Sequence, residues 1–173
     1  MIATNQKQDG ITLKMPSAVE YISPLGEALH ALCLYATGSE SCALDIQRAT
    51  IEALNNVILH AYRNEPGHDI TVRCYQENRQ LRIEIIDGGT SMSFLPEPVL
   101  PAFDAENGRG WWIINSCVDD YYYKVVEYIE RERVLRPADN NENFEITLIR
   151  PHYNILTLIK PVVNMLFEAY KYS

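Results

Sequence analysis

Glu52 and Asn56 stand four residues apart in "IEALNNVILHAY" (residues 51–62), a segment otherwise dominated by apolar side chains. On a helix, residues four apart share one face, so these two side chains meet. A carboxylate in that position can accept a proton from an attacking hydroxyl. The amide oxygen one turn further on suits Mg²⁺, which keeps several waters and takes only one or two protein ligands when phosphate oxygens supply the charge. A solvated helix face would look much the same, because Asp45, His60 and Arg63 fall on the same side. The helix alone leaves both readings open.

Two further stretches carry chemistry of a related kind. In "IIDGG", Asp87 closes an apolar strand pattern and is followed by Gly88 and Gly89. Its carboxylate offers an acceptor, and the glycines let backbone approach a flat ligand; a tight turn after a strand end is the plainer alternative. In "NGRGWW", Gly108 and Gly110 precede a short helical pattern, with Arg109 between them as the only nearby cation. Backbone N–H groups and the dipole at a helix start bind phosphate, although an ordinary loop-to-helix junction has the same composition.

These residues need elements to hold them. "ITLKM" alternates like a strand, and Ser17 with Glu20 makes a capping-box pattern. The helix it opens runs towards Tyr35, with Pro24 marking a kink or a second start. After the break "TGSES", a second helix is expected from about Cys42 to Arg63. "ITVRCYQ" and "LRIEIID" form a hairpin through "ENRQ". Residues 90–107, with prolines at 96, 98 and 101, lack periodicity and have the length of a lid. "GRGWWIINSCV" reads as a short helix, and "YYYKVVEYIE" and "NFEITLIR" as strands. In "YNILTLIKPVVNMLFEAYKY", Ile155, Leu158, Ile159, Val162, Leu166 and Tyr170 recur at helical spacing around Pro161. The expectation is a C-terminal helical extension whose stripe must be buried, either on its own domain or, as the favoured reading, in a homodimer or a partner's groove.

At 173 residues the chain favours one domain, and 47% hydrophobic with 22% charged residues is enough to build a core. Fifteen Lys+Arg against 23 Asp+Glu give a net charge of −8, the wrong sign for a nucleic-acid surface. Cys33, Cys42, Cys74 and Cys117 lack zinc-ligand spacing and read as buried reduced thiols. There is no signal-peptide layout and no uninterrupted apolar run long enough to span a membrane, so a cytoplasmic location is expected.

Taken in order, E-x-x-x-N on a helix, D-x-G after a strand, a lid-length loop and G-x-G into a helix form a compound pattern. It resembles the GHKL ATPases, most closely the small bacterial anti-sigma factors that are serine-protein kinases. "EALNNVILHAY" is similar to their N-box, "DGG" to their first glycine box and "GRGWWII" to their second. The resemblance covers residues 11–150, between a flexible tail (1–10) and the extension (151–173). It implies a two-layer α/β sandwich of the GHKL/Bergerat type, a mixed, mostly antiparallel sheet with helices on one face. It also implies ATP and Mg²⁺ as cofactors, with Asn56 holding the metal and Glu52 as general base. Asp87 would receive the adenine amino group with Gly89 beside the ring, and Gly108, Arg109 and Gly110 would meet the phosphates. The implied partners are a sigma factor, which is sequestered, and a STAS-type anti-anti-sigma protein, which is phosphorylated on serine. The alternative is a nucleotide-binding regulatory module without kinase activity. Two features depart from the family pattern: the proline-rich loop has no lysine for a γ-phosphate, and "NFEITL" lacks a Gly-Thr pair.

Overall fold

Asn78 and Arg79 both take positive φ, 50° and 62°, as the two central residues of a type I′ hairpin turn must. They join β2 (Asp69–Glu77) to β3 (Gln80–Asp87) and lock the register at Glu77 opposite Gln80. Because side chains alternate, that register puts Ile70, Val72 and Cys74 on the same face as Leu81, Ile83 and Ile85. All six are buried. The opposite face carries Arg73 and Tyr75, whose side chains both bond the buried carboxylate of Glu84, at 3.0 and 2.9 Å.

The computed structural model describes residues 10–100, 102, 108–127, 130–131, 148–149 and 152–162. β1 (Gly10–Pro16) pairs with β2, and β7 (His152–Pro161) pairs with β3 on one side and β4 (Asp120–Glu127) on the other. The five-stranded order is β1-β2-β3-β7-β4, and β5 (Glu130–Arg131) forms a separate small pair with β6 (Leu148–Ile149). Every one of these pairings is antiparallel, in keeping with the mostly antiparallel sheet expected.

The helices cover the core face of the sheet. α1 (Ile22–Thr37) follows a single 3₁₀ turn at Val19–Tyr21. Pro24 lies in the first turn of α1, where its missing N–H is one of the donors that would lack a helical partner anyway. It therefore marks a start and not a kink. Ser17 is no cap: its hydroxyl donates to the Glu65 carbonyl at 2.9 Å and accepts from the His68 N–H at 3.2 Å. Gly38, at φ 65°, closes α1 in the left-handed region, and Ser39 caps α2 (Glu40–Asn56) by accepting from the Cys42 N–H. Along α2 the fully buried Ala43, Ala49 and Ala53 let neighbouring elements approach closely, and Ile46 and Leu54 fill the core between. α3 (Gly110–Cys117) packs on α2 as well. Lys160 ties these layers together, donating to Asp45 Oδ2 at 3.0 Å and to the Cys117 carbonyl at the end of α3 at 2.7 Å. All four cysteines are free and buried, and no described helix is long and apolar enough to cross a membrane.

The helical extension expected from residue 151 is overturned over His152–Pro161, which is the strand β7. Its position between β3 and β4 makes it the spine of the sheet rather than an appendage. Residues 163–173, like the N-terminal tail 1–9 and the connector at 132–147, lie outside the described residues. A chain ending at Arg150 should consequently lose its cooperative thermal transition. Leu158→Ala, a milder cut at a side chain with 0% exposure, should cost about 2–5 kcal/mol in chemical denaturation. A truncated chain that melts like the full one would contradict this topology.

Candidate functional site

α2 ends as an α-helix at Asn56 and widens into a single π turn, Val57–Ala61, closed by Tyr62 N–H to Val57 O at 2.9 Å. Such widened turns are concentrated at functional sites. The regular helix expected to reach Arg63 is thus five residues of π turn followed by a tight reversal, with Arg63 and Asn64 at φ 53° and 60°. Glu52 and Asn56 face the start of α3 from the last α-helical turns. A Cβ on Gly110 would sit 3.2 Å from Glu52 Oε2 and 3.5 Å from Asn56 Oδ1, so any larger residue would crowd the carboxylate. Gly108, at φ 94°, takes a backbone conformation that other residues avoid and turns the chain into α3. Burial pushes the Glu52 carboxyl above its ordinary 4.5. Asn56 Nδ2 is buried and has no hydrogen-bond partner among the described residues.

Asp87 closes β3 on the helix-facing side of the sheet, directly opposite Asn154 of β7. Its side chain is almost fully buried. Oδ1 accepts from the Gly89 N–H and from Asn154 Nδ2, each at 2.8 Å. Among the described residues Oδ2 has no hydrogen-bond partner. Burial raises the Asp87 pKa, and the bonds from Asn154 and Gly89 pull it back. Gly88 N–H donates to Tyr62 OH at 2.8 Å, while Tyr62 OH donates to the Asp69 carbonyl. Thr90 N–H donates to Ala61 O at 2.9 Å, so the segment after Asp87 is laced to the π turn.

These groups surround one cleft of about 1120 Å³. Glu52, Asn56, Asp87, Gly108, Arg109 and Gly110 all line it, with Met92, Phe94 and Leu156 supplying apolar wall. Gly89 is not among its lining residues. It lies against the π turn, where a Cβ would come within 2.7 Å of the Ala61 carbonyl, so it serves close packing behind Asp87. Sequence reasoning missed Asn154, Ser91 and Tyr62, which hold Asp87 and its loop. Asn154 was legible in principle, as the polar member of an Asn154, Leu156, Leu158 alternation.

The donor set suits a cation that brings its own phosphate ligands. No group of three His, Cys, Asp or Glu side chains that could hold a metal occurs among the described residues. A neutral amide, Asn56, with Glu52 one turn away matches the few protein ligands Mg²⁺ takes beside phosphate and water. A mostly apolar cleft with a buried carboxylate acceptor and a glycine-bounded helix start in its walls fits a nucleotide.

A five-stranded antiparallel sheet with helices over one face and a cleft beside them is consistent with an ATPase domain of the histidine kinase kind. Residues 15–132 match the model of the histidine kinase-like ATPase domain, and the chain belongs to this family. Within it the chain is similar to proteins named serine-protein kinase RsbW. It is 29% identical over 133 residues to that of Listeria innocua serovar 6a, covering 70% of this chain and 85% of the relative. It is 27% identical over 161 residues to that of Bacillus thuringiensis strain Al Hakam, covering 81% and 98%. The resemblance drawn from the three motifs is borne out.

The buried carboxylate makes a stability prediction. A carboxyl whose folded pKa is raised binds its proton more readily in the folded chain, so stability falls as pH rises from the ordinary 3.8 through the raised value. Asp87→Asn keeps an oxygen to accept from Gly89 and Asn154 but has no charge to bury. Its melting temperature at pH 7 should equal or exceed that of the wild type, with a flatter acid-side profile. The difference in slope cannot exceed about 1.4 kcal/mol per pH unit for one proton. A variant that melts well below wild type at pH 7 would show that the charge itself stabilises the fold.

Proposed function

We propose that the protein is a Mg²⁺- and ATP-dependent protein-serine kinase that also acts as an anti-sigma factor. It would sequester a sigma factor and phosphorylate a STAS-type anti-anti-sigma partner on serine. The observation that carries the catalytic half is the meeting of Glu52, Asn56 and Gly110 at one end of a cleft that has Asp87 in its wall. The similarity to serine-protein kinases supports the choice of serine as acceptor.

Bound ATP, with Mg²⁺, supplies the phosphoryl group. Asn56 would hold the metal through its amide oxygen, and Asp87 would receive the amino group of adenine. The glycines at 108 and 110 give the phosphates access to backbone N–H groups, with Arg109 adding positive charge. Glu52 takes the proton of the incoming serine hydroxyl as its oxygen bonds to the γ-phosphorus and the bond to the β-phosphate oxygen breaks, releasing ADP. Burial suits Glu52 to this work, because a carboxyl with a raised pKa is a better base than an exposed one.

The rival reading is a regulatory module that binds nucleotide without transferring phosphate. It is favoured by one observation: no lysine lines the cleft among the described residues, and the basic side chains there are His60 and Arg109.

Calorimetry should find ATP binding that strengthens with Mg²⁺, and Asn56→Ala should remove that dependence. Absence of binding at millimolar Mg-ATP would count against the whole reading.

Glu52→Gln separates kinase from module. It should retain ATP binding and lose phosphate transfer by about 10²–10⁴-fold. Because the base must be deprotonated, transfer should rise with pH through a value above 4.5, and this limb should be missing from the Gln variant. A wild type that binds ATP and its serine-bearing partner yet transfers nothing would favour the module.

A further inference from the structure

We infer that Asn154 is a positioning residue that fixes Asp87 for its ligand and thereby helps set which base the cleft accepts. The ligand half of this inference rests on the nucleotide reading; the positioning half rests on geometry alone. Asn154 is 1% exposed and lies on β7 directly across from Asp87. Its Nδ2 donates to Asp87 Oδ1 at 2.8 Å and to the Gly89 carbonyl at 3.0 Å. Its Oδ1 accepts from Ser91 Oγ at 2.7 Å. Two donations and one acceptance are what a side-chain amide supplies and a hydroxyl cannot, since a hydroxyl has one proton.

The amide's orientation is determined. Flipped, it would turn its oxygen toward the Asp87 carboxylate and the Gly89 carbonyl, leaving acceptors facing acceptors, and its NH₂ toward Ser91. With Ser91 donating, both N–H groups are committed to Asp87 and Gly89. Asp87 Oδ1 then takes both donors, and neither of these bonds engages Oδ2 of this cleft-lining residue, which leaves it to serve as an acceptor. An acceptor held this way favours a base edge with an amino group and disfavours one with a carbonyl. His152 adds a second lock, its Nε2 donating to the Gly89 carbonyl at 2.7 Å. β7 lies beyond residues 15–132, so the matched stretch of the chain does not contain the partner of its own acceptor.

The titratable groups near Asp87 are His152 on β7, Tyr62 after the π turn and Tyr123 on β4. Carbon-13 NMR of the carboxyl groups in the full chain would follow Asp87 in wild type, Asn154→Ala and Ser91→Ala, with ATP affinity measured by calorimetry at the same pH values. Losing a bond to the charged form should move the Asp87 titration to higher pH in Asn154→Ala. Ser91→Ala, which frees the amide to flip and also removes a hydroxyl beside Tyr123, should move it less in the same direction. ATP affinity at pH 7 should fall about tenfold or more in Asn154→Ala, and its loss on the acid side should move up with the carboxyl. Should Asn154→Ala fail to fold, Ser91→Ala carries the test. An Asp87 titration unchanged in the folded variants overturns the positioning role. A shifted titration with unchanged ATP affinity overturns the role in base choice. A wild type that binds no ATP sinks the nucleotide reading, and the titration alone then decides the positioning.

Discussion

A carboxylate buried at the end of a strand is costly, because water no longer solvates its charge, and it persists only where donors replace that water. Asp87 is 6% exposed and takes two such donors, one from its own loop and one from across the sheet. Much of the architecture follows from that need. β7 must lie beside β3 to bring Asn154 opposite Asp87, and the loop must fold back at once to present the Gly89 N–H. Folding back brings Gly89 onto Ala61, and only a residue without a side chain permits that approach. Asp87 is therefore held by three separate pieces of chain.

The other wall of the cleft depends on α2. Its small buried residues seat it in the core, and its end is tied to the Asp87 loop through Ala61, Tyr62 and Gly88. α3 begins with the close contact of Gly110 on Glu52 and Asn56, and it ends where Lys160 engages its last carbonyl. Lys160 and Asn154 lie on the same face of β7, so one strand braces both ends of the site. The acid–amide pair and the buried carboxylate thus share a rigid frame. Along the loop, by contrast, Phe94, Val99 and Leu100 are exposed.

Most of this frame is legible in the order of residues along the chain. The hairpin, both long helices, α3 and the first strand follow from alternation, helical period and turn residues, and six of the seven motif residues line the cleft. β7 was not legible, for a physical reason. A central strand buried on both faces is a nearly continuous apolar run, and Ile155, Leu158, Ile159 and Val162 meet helical spacing as readily as strand alternation. The β-branched Ile155, Thr157 and Ile159 were the better guide. Ser17 misled for a different reason: its local pattern is that of a cap, but a contact 48 residues away claims its hydroxyl. The π turn has no sequence signature of its own. Asn154 stands out as a polar residue in an apolar alternation, but its partner does not, because Asp87 meets it only once β3 and β7 are side by side.

The central claim is that the cleft takes an adenine nucleotide through the held carboxylate of Asp87. Its most direct test compares ATP with inosine triphosphate, which differs in carrying a carbonyl where adenine has its amino group. Calorimetry on the wild-type protein, with Mg²⁺ and at one pH, should find ATP bound about tenfold to a hundredfold more tightly, the value of a hydrogen bond to a charged group. Equal affinity for the two would contradict the assignment of Asp87 and, with it, the way the site has been built around that residue.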